Sequence, residues 1–134
     1  MTEIETVEQF LRALESFDLD RALALVAPDV VYQNVPLAPA RGVAAFERQL
    51  RGFARLADAL EVELHHIAAN GPIVLTERTD TLVMRGARAA FWVCGTFEVQ
   101  AGKIVLWRDY FDWAQVVGRL LLAAPRALLG RLRG

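Results

Sequence analysis

A single cysteine, Cys94, stands in a chain of 134 residues. That excludes an internal disulfide and fits a reducing, cytoplasmic setting. Neither sign of charge is in excess. The formal net charge is −1, which leaves no electrostatic case for a nucleic-acid partner. Long apolar runs are missing, because Arg119, Arg126, Arg131 and Arg133 interrupt the leucine-rich stretch near the end, so a transmembrane span is not expected. Met1-Thr-Glu-Ile-Glu-Thr has neither the basic start nor the apolar middle of a secretory signal. There are two histidines, His65 and His66. Strand alternation sends them to opposite faces, so they cannot share one metal ion, and a metal site is not expected. Cys94 has no base at motif spacing, which argues against a catalytic thiol. Gly-x-Ser-x-Gly elbows, internal repeats, low-complexity stretches and linkers are also lacking.

Apolar residues are abundant, at 54% of the chain. That is above the usual share and points to an apolar cavity, a dimer interface, or both. The length suits one domain with one core, residues 1–134, ending in a basic, leucine-rich tail over 118–134.

The periodicities predict helices first and then strands. Val7, Phe10, Leu11, Leu14 and Phe17 recur at helical spacing, with Thr6 as the N-cap. A second helix is predicted from Asp18 to Ala27, closed by Pro28, then a strand from Val30 to Val35. The segment from Pro36 to Gly42 reads as loop. Val43, Phe46, Leu50 and Phe53 stripe a third helix. Strands follow at 60–69, 73–84, 87–100 and 103–112, separated by Asn70-Gly71-Pro72, Arg85-Gly86 and Ala101-Gly102. Helices ahead of a strand meander define an α+β fold, with the helices packed on one face of a curved, mostly antiparallel sheet.

Three strands carry candidate chemistry. In the segment from Leu75 to Val83, Arg78 and Asp80 point to one face together with Thr76, Leu82 and Met84. Charge on an apolar face is costly unless paired. In the segment from Lys103 to Asp112, parity groups Val105, Trp107, Asp109 and Phe111, which makes Asp109 a carboxylate in an apolar hollow. Val30, Tyr32 and Asn34 share a third face, where Tyr and Asn can hold a water molecule. Read singly, Arg78 and Asp80 make a structural ion pair, and Asp109 is an acid satisfied by its neighbours. Read together, Asp80, Arg78, Asp109, Tyr32 and Asn34 form one candidate site. His66 shares parity with Val62, Leu64 and Ala68 and reads as a core or pocket-edge residue. The tryptophans Trp92, Trp107 and Trp113 read as core, pocket wall or dimer contact.

The ordered pieces Tyr32-Gln33-Asn34, Arg78-Thr79-Asp80 and Trp107-Arg108-Asp109-Tyr110-Phe111-Asp112 resemble the limonene-1,2-epoxide hydrolase family, within the nuclear transport factor 2-like group of folds. The resemblance extends from the first helix to Trp113. It implies a cone-shaped sheet closed by helices, a homodimer, and no cofactor. The implied reaction is one-step addition of water to an apolar epoxide. Asp109 would be the general base, helped by Tyr32 and Asn34. Asp80 would be the general acid, and Arg78 would bridge the two. Rival expectations are a ketosteroid-isomerase-like or polyketide-cyclase-like enzyme, and a binding module without catalysis. For the tail, divided by Pro125, a helix packed on the sheet or on a second subunit is favoured over a basic amphipathic segment touching an anionic membrane.

Overall fold

The computed structural model describes the backbone of residues 1–133 and the side chains of residues 1–125. In chain order the elements are α1 (Glu3–Glu15), α2 (Leu19–Ala24), β1 (Val26–Val35), β2 (Ala40–Arg41), α3 (Val43–Leu56), β3 (Ala59–Asn70), β4 (Ile73–Met84), β5 (Ala87–Gln100), β6 (Lys103–Phe111) and α4 (Trp113–Arg133). The strands form a six-stranded sheet in the order β2-β1-β6-β5-β4-β3. β1 runs parallel to β6 and every other pairing is antiparallel. The hairpins at Arg85-Gly86 and Ala101-Gly102 turn with positive φ at both residues, the conformation that matches strand twist.

Several boundaries differ from expectation for local reasons. Thr2, not Thr6, caps α1, its hydroxyl accepting from the Glu5 amide at 3.1 Å. Thr6 lies a turn further in, fully buried, and donates back to the Thr2 carbonyl. α2 stops at Ala24, and Val26 and Ala27 already belong to β1. Pro28 falls where the β1–β6 register shifts, a place that tolerates a missing N–H. Within the expected loop, Ala40 and Arg41 pair with Tyr32 and Val31.

Two bulges change which side chains face inward. The β3–β4 register shifts between Leu64 and His66. One extra residue reverses the alternation beyond it. Val62 is buried and Leu64 half-buried, but Ile67 rather than His66 continues the inward row. The expectation for His66 therefore fails, since it is exposed and lies 3.8 Å from Glu77. His65 bonds Thr79 at 2.8 Å. Glu77 and Thr79 share the outer face of β4, so both histidines serve that face. A second shift, between Glu98 and Val99 opposite β6, leaves Val105 out of the pairing. Ile104 takes the buried position expected of Val105.

Helices α1 and α3 pack on the inward face. Their apolar stripes meet an aromatic cluster in which Phe10 lies 5.2 Å from Trp107 and 6.3 Å from both Phe46 and Phe97, centroid to centroid. α4 covers the other end of the same face. Val116 and Ala123 are buried against Ala87, Ala89, Phe91 and Val93, and the Trp113 indole donates to the Val35 carbonyl at 2.6 Å. Pro125 lies inside this helix instead of dividing the tail. The packed-helix expectation for the tail thus holds through residue 125. No helix among the described residues is long and apolar enough to cross a membrane.

Phe10 touches both helical and sheet sides of the core. Phe10→Ala should lower unfolding free energy by about 3–5 kcal/mol. Urea titration would show a lower midpoint with an unchanged slope.

Candidate active site

Between α1, α3 and α4 the inward face of the sheet is left partly uncovered, and a cavity of about 500 Å³ lies there. Its walls are apolar side chains such as Leu50, Phe53, Leu82, Phe91, Val116 and Leu120. At its floor the polar groups converge. Tyr32, Asn34, Asp80 and Asp109 line the cavity, and Arg78 lies beneath them, fully buried. All five expected residues are therefore brought together.

The register explains the convergence. Asn34 on β1 pairs with Asp109 on β6, Asp109 with Gly95 on β5, and Gly95 with Thr76 on β4. Arg78 and Asp80 follow Thr76 on the same face. The Arg78 guanidinium crosses β5 to join the two acids. Its Nε donates to Asp80 Oδ1 at 3.0 Å, and its Nη2 donates to Asp80 Oδ2 at 3.1 Å and to Asp109 Oδ2 at 2.5 Å. Nη1 donates to the Thr76 hydroxyl at 3.2 Å. Asp109 also accepts from the Trp107 indole at 2.8 Å. Asn34 Nδ2 donates to the Tyr32 hydroxyl at 3.0 Å.

Burial and charge set the protonation of these groups. Asp109 is 2% exposed. Burial pushes its carboxyl above the ordinary value of 3.8. Arg78 and the Trp107 hydrogen bond oppose that rise without cancelling it, and the charge of Asp80 adds to it. The net effect favours the protonated form of Asp109. Burial disfavours the charge of Arg78, but Asp109 and Asp80 outweigh it and the guanidinium stays cationic. Burial first, and the charge of Asp109 second, raise the Tyr32 hydroxyl, which stays a neutral hydrogen-bonding group at neutral pH.

Three contributors were not singled out from the sequence as site residues. Trp107 and Thr76 each lie two residues from a site residue on the same face, so parity was the available signal. Gly95 carries no such signal, because its contacts come only with the fold. No group of three or more His, Cys, Asp or Glu side chains among the described residues could hold a metal ion.

A mostly antiparallel sheet with helices on its inward face, and two acids bridged by one guanidinium at the floor of an apolar cavity, define a nuclear transport factor 2-like protein. The sequence profile of the limonene-1,2-epoxide hydrolase catalytic domain matches residues 1–121, and the chain belongs to that family. It is 47% identical over 109 residues to the epoxide hydrolase EphG of Mycobacterium tuberculosis, covering 79% of this chain and 70% of the relative. The solved structure of a limonene-epoxide-hydrolase-like enzyme from M. tuberculosis superposes with a TM-score of 0.85 at 42% identity over 95% of both chains. A SnoaL-like polyketide cyclase fold from Shewanella putrefaciens superposes at 0.82 with 12% identity, covering 91% of this chain and 88% of the other. At that identity the likeness is one of fold alone.

The raised proton affinity of Asp109 has a signed consequence for stability. The unfolded chain releases this proton near 3.8, whereas the folded chain keeps it to higher pH. Stability relative to Asp109→Asn should therefore fall as pH rises from about 4, levelling off once the folded carboxyl has ionised. Urea midpoints of both proteins across that range would reveal it, and parallel curves would contradict it.

Proposed function

We propose that this epoxide hydrolase adds water to an apolar epoxide in one step, giving a vicinal diol, with residues 1–134 acting as one catalytic domain. The observation that carries the reading is the Asp80–Arg78–Asp109 bridge at the floor of an apolar cavity.

Water is a weak nucleophile and an alkoxide is a poor leaving group, so ring opening needs a base and an acid together. Asp109 is the base. Its position beside Asn34 in the β1–β6 pairing, with Tyr32 bonded to Asn34, supports a water held among the three. As the water oxygen bonds to an epoxide carbon, its proton passes to Asp109. The bond from that same carbon to the ring oxygen breaks, and Asp80 gives its proton to the departing oxygen. A proton then returns from Asp109 to Asp80 through solvent or product. Before and after the step one acid is protonated, the other is ionised, and Arg78 is charged. The buried group thus stays neutral throughout, which avoids the cost of an uncompensated charge in an apolar hollow.

The walls support a terpenoid, steroid-like or fatty epoxide. A cavity of this size suits such molecules, but apolar walls separate similar shapes weakly. No cofactor enters the scheme. A homodimer fits the exposed Leu75, Trp92 and Tyr110, which share the outer face of the sheet. Cys94, unpaired in the chain, supports a cytoplasmic setting.

The rival of enolate chemistry at a carbon acid needs one base and an oxyanion donor, not a cation between two acids. A binding module has no use for the bridge at all.

The decisive experiment incubates the protein with limonene-1,2-epoxide, a steroid epoxide and a long-chain fatty epoxide in heavy-oxygen water. A single turnover should place the label in the diol and none in the protein. Label-free diol in the first turnover, with label entering a protein carboxylate, would overturn the one-step scheme. Asp80→Asn and Asp109→Asn should each lower kcat by a factor of at least about a thousand with folding preserved. Because Asp109 must be ionised to act, kcat/KM should fall as pH drops, on an acid limb lying above 3.8. Sedimentation should report a dimer at micromolar concentration that Leu75→Glu weakens.

A further inference from the structure

The bridge depends on the absence of a side chain. A Cβ built on Gly95 would lie 2.5 Å from Arg78 Nη1, 2.6 Å from Asp109 Oδ1 and 2.9 Å from Thr76 Oγ1. All three contacts are closer than carbon tolerates. All three also belong to groups held by one another. Gly95 occupies the β5 position between Thr76 on β4 and Asp109 on β6. It is therefore the notch through which the guanidinium passes from one acid to the other. Its neighbours on the same face, Val93 and Phe97, are fully buried apolar residues. The glycine is not there for its backbone, which makes ordinary strand pairing on both sides.

Thr76 completes the arrangement. Its hydroxyl is buried, donates to the Gly95 carbonyl at 3.3 Å, and accepts from Arg78 Nη1 at 3.2 Å. With its own proton committed to the carbonyl, the hydroxyl presents a lone pair to the guanidinium. Nε and Nη2 fix one edge of the guanidinium against the acids. Nη1 lies on the far side, where Thr76 fixes the remaining rotation. A guanidinium is planar and rigid, so anchoring Nη1 also sets where Nη2 points.

We propose that Gly95 and Thr76 are positioning residues for the hydrolysis, acting together to hold the Arg78 plane so that one nitrogen, Nη2, addresses both catalytic acids. This rests on the functional reading above. It adds to that reading a notch and an anchor that touch neither substrate nor water. Among the described residues, the charged and titratable groups near Asp109 are Arg78 and Asp80 from β4, Tyr32 from β1 and the neutral thiol Cys94 on β5, and the helices contribute no titratable side chain to the cavity. A change in the Arg78 plane therefore reaches Asp109 directly, through the hydrogen bond from Nη2.

The test compares Thr76→Val, Thr76→Ser and Gly95→Ala, using whichever epoxide of the panel turns over fastest. Thr76→Val keeps the shape and removes the acceptor. It should lower kcat about ten- to a hundredfold, leave KM within about twofold, and move the acid limb of the pH profile to higher pH as the bond from Nη2 to Asp109 weakens. Thr76→Ser should restore both kcat and the limb. Gly95→Ala should cost about a hundredfold in kcat or more. A Thr76→Val protein that loses stability while keeping its kcat and pH profile would reduce Thr76 to a structural role and overturn the anchor. Folded Gly95→Ala with near wild-type kcat would overturn the notch.

A Gly95→Ala protein that fails to fold would uphold the notch, since the added methyl meets Arg78, Asp109 and Thr76, and the Thr76 pair then decides the anchor. A readout independent of turnover separates this proposal from the hydrolase reading. The Arg78 Nη resonances in nitrogen-labelled protein should be sharp and resolved in the wild type and in Thr76→Ser, and exchange-broadened in Thr76→Val. If no epoxide is turned over but the resonances behave this way, the hydrolase reading falls and the anchor stands. If they are unchanged in Thr76→Val, the anchor falls regardless of activity.

Discussion

One buried cation organises this protein. Arg78 is fully enclosed and cannot lose its proton, so the fold must supply counter-charge within hydrogen-bonding reach. Two aspartates from different strands do so. Neither is tolerable alone in that setting, and the three together come near to electrical balance when one acid carries a proton. Arg78 is thereby the charge that makes both carboxyl groups tolerable at the cavity floor, and the constraint lies at the meeting of β4, β5 and β6.

The same fold serves proteins such as SnoaL-like polyketide cyclases, and the likeness at 12% identity concerns architecture only. An apolar cone with helices at its rim is a general container. In this chain its floor carries the row of Asp80, Arg78 and Asp109, with Tyr32 and Asn34 on the parallel strand beside it.

Much of this was legible in the primary structure, and what was legible follows from short-range physics. Arg85-Gly86 and Ala101-Gly102 announce tight hairpins, and the strands between them alternate cleanly, so the limits of β4 and β5 came out as predicted. The grouping of Arg78 with Asp80, and of Trp107 with Asp109, follows from parity alone. Parity also failed where it had to. A bulge inserts one residue with no local signature, so His66 moved outward and Val105 lost its place to Ile104. Helix ends were misjudged where a second threonine lies one turn earlier, as Thr2 does before Thr6, or where a proline sits in a strand, as Pro28 does. Gly95 was invisible as a site residue because its role is a clearance, defined only by atoms from two other strands. The association of Tyr32 and Asn34 with Asp109 rests on β1 pairing in parallel with β6, a contact between distant segments. Only the family resemblance anticipated it.

The reactive groups and the walls have different origins in this molecule. The strands hold the acids and the arginine, while α3 and α4 furnish much of the lining through side chains such as Phe53, Val116 and Leu120. None of those three takes part in the ionic bridge. Substitutions among them therefore alter the room open to a guest without touching the ionic bridge, although Val116 also carries packing against the sheet and leaves less latitude than Phe53.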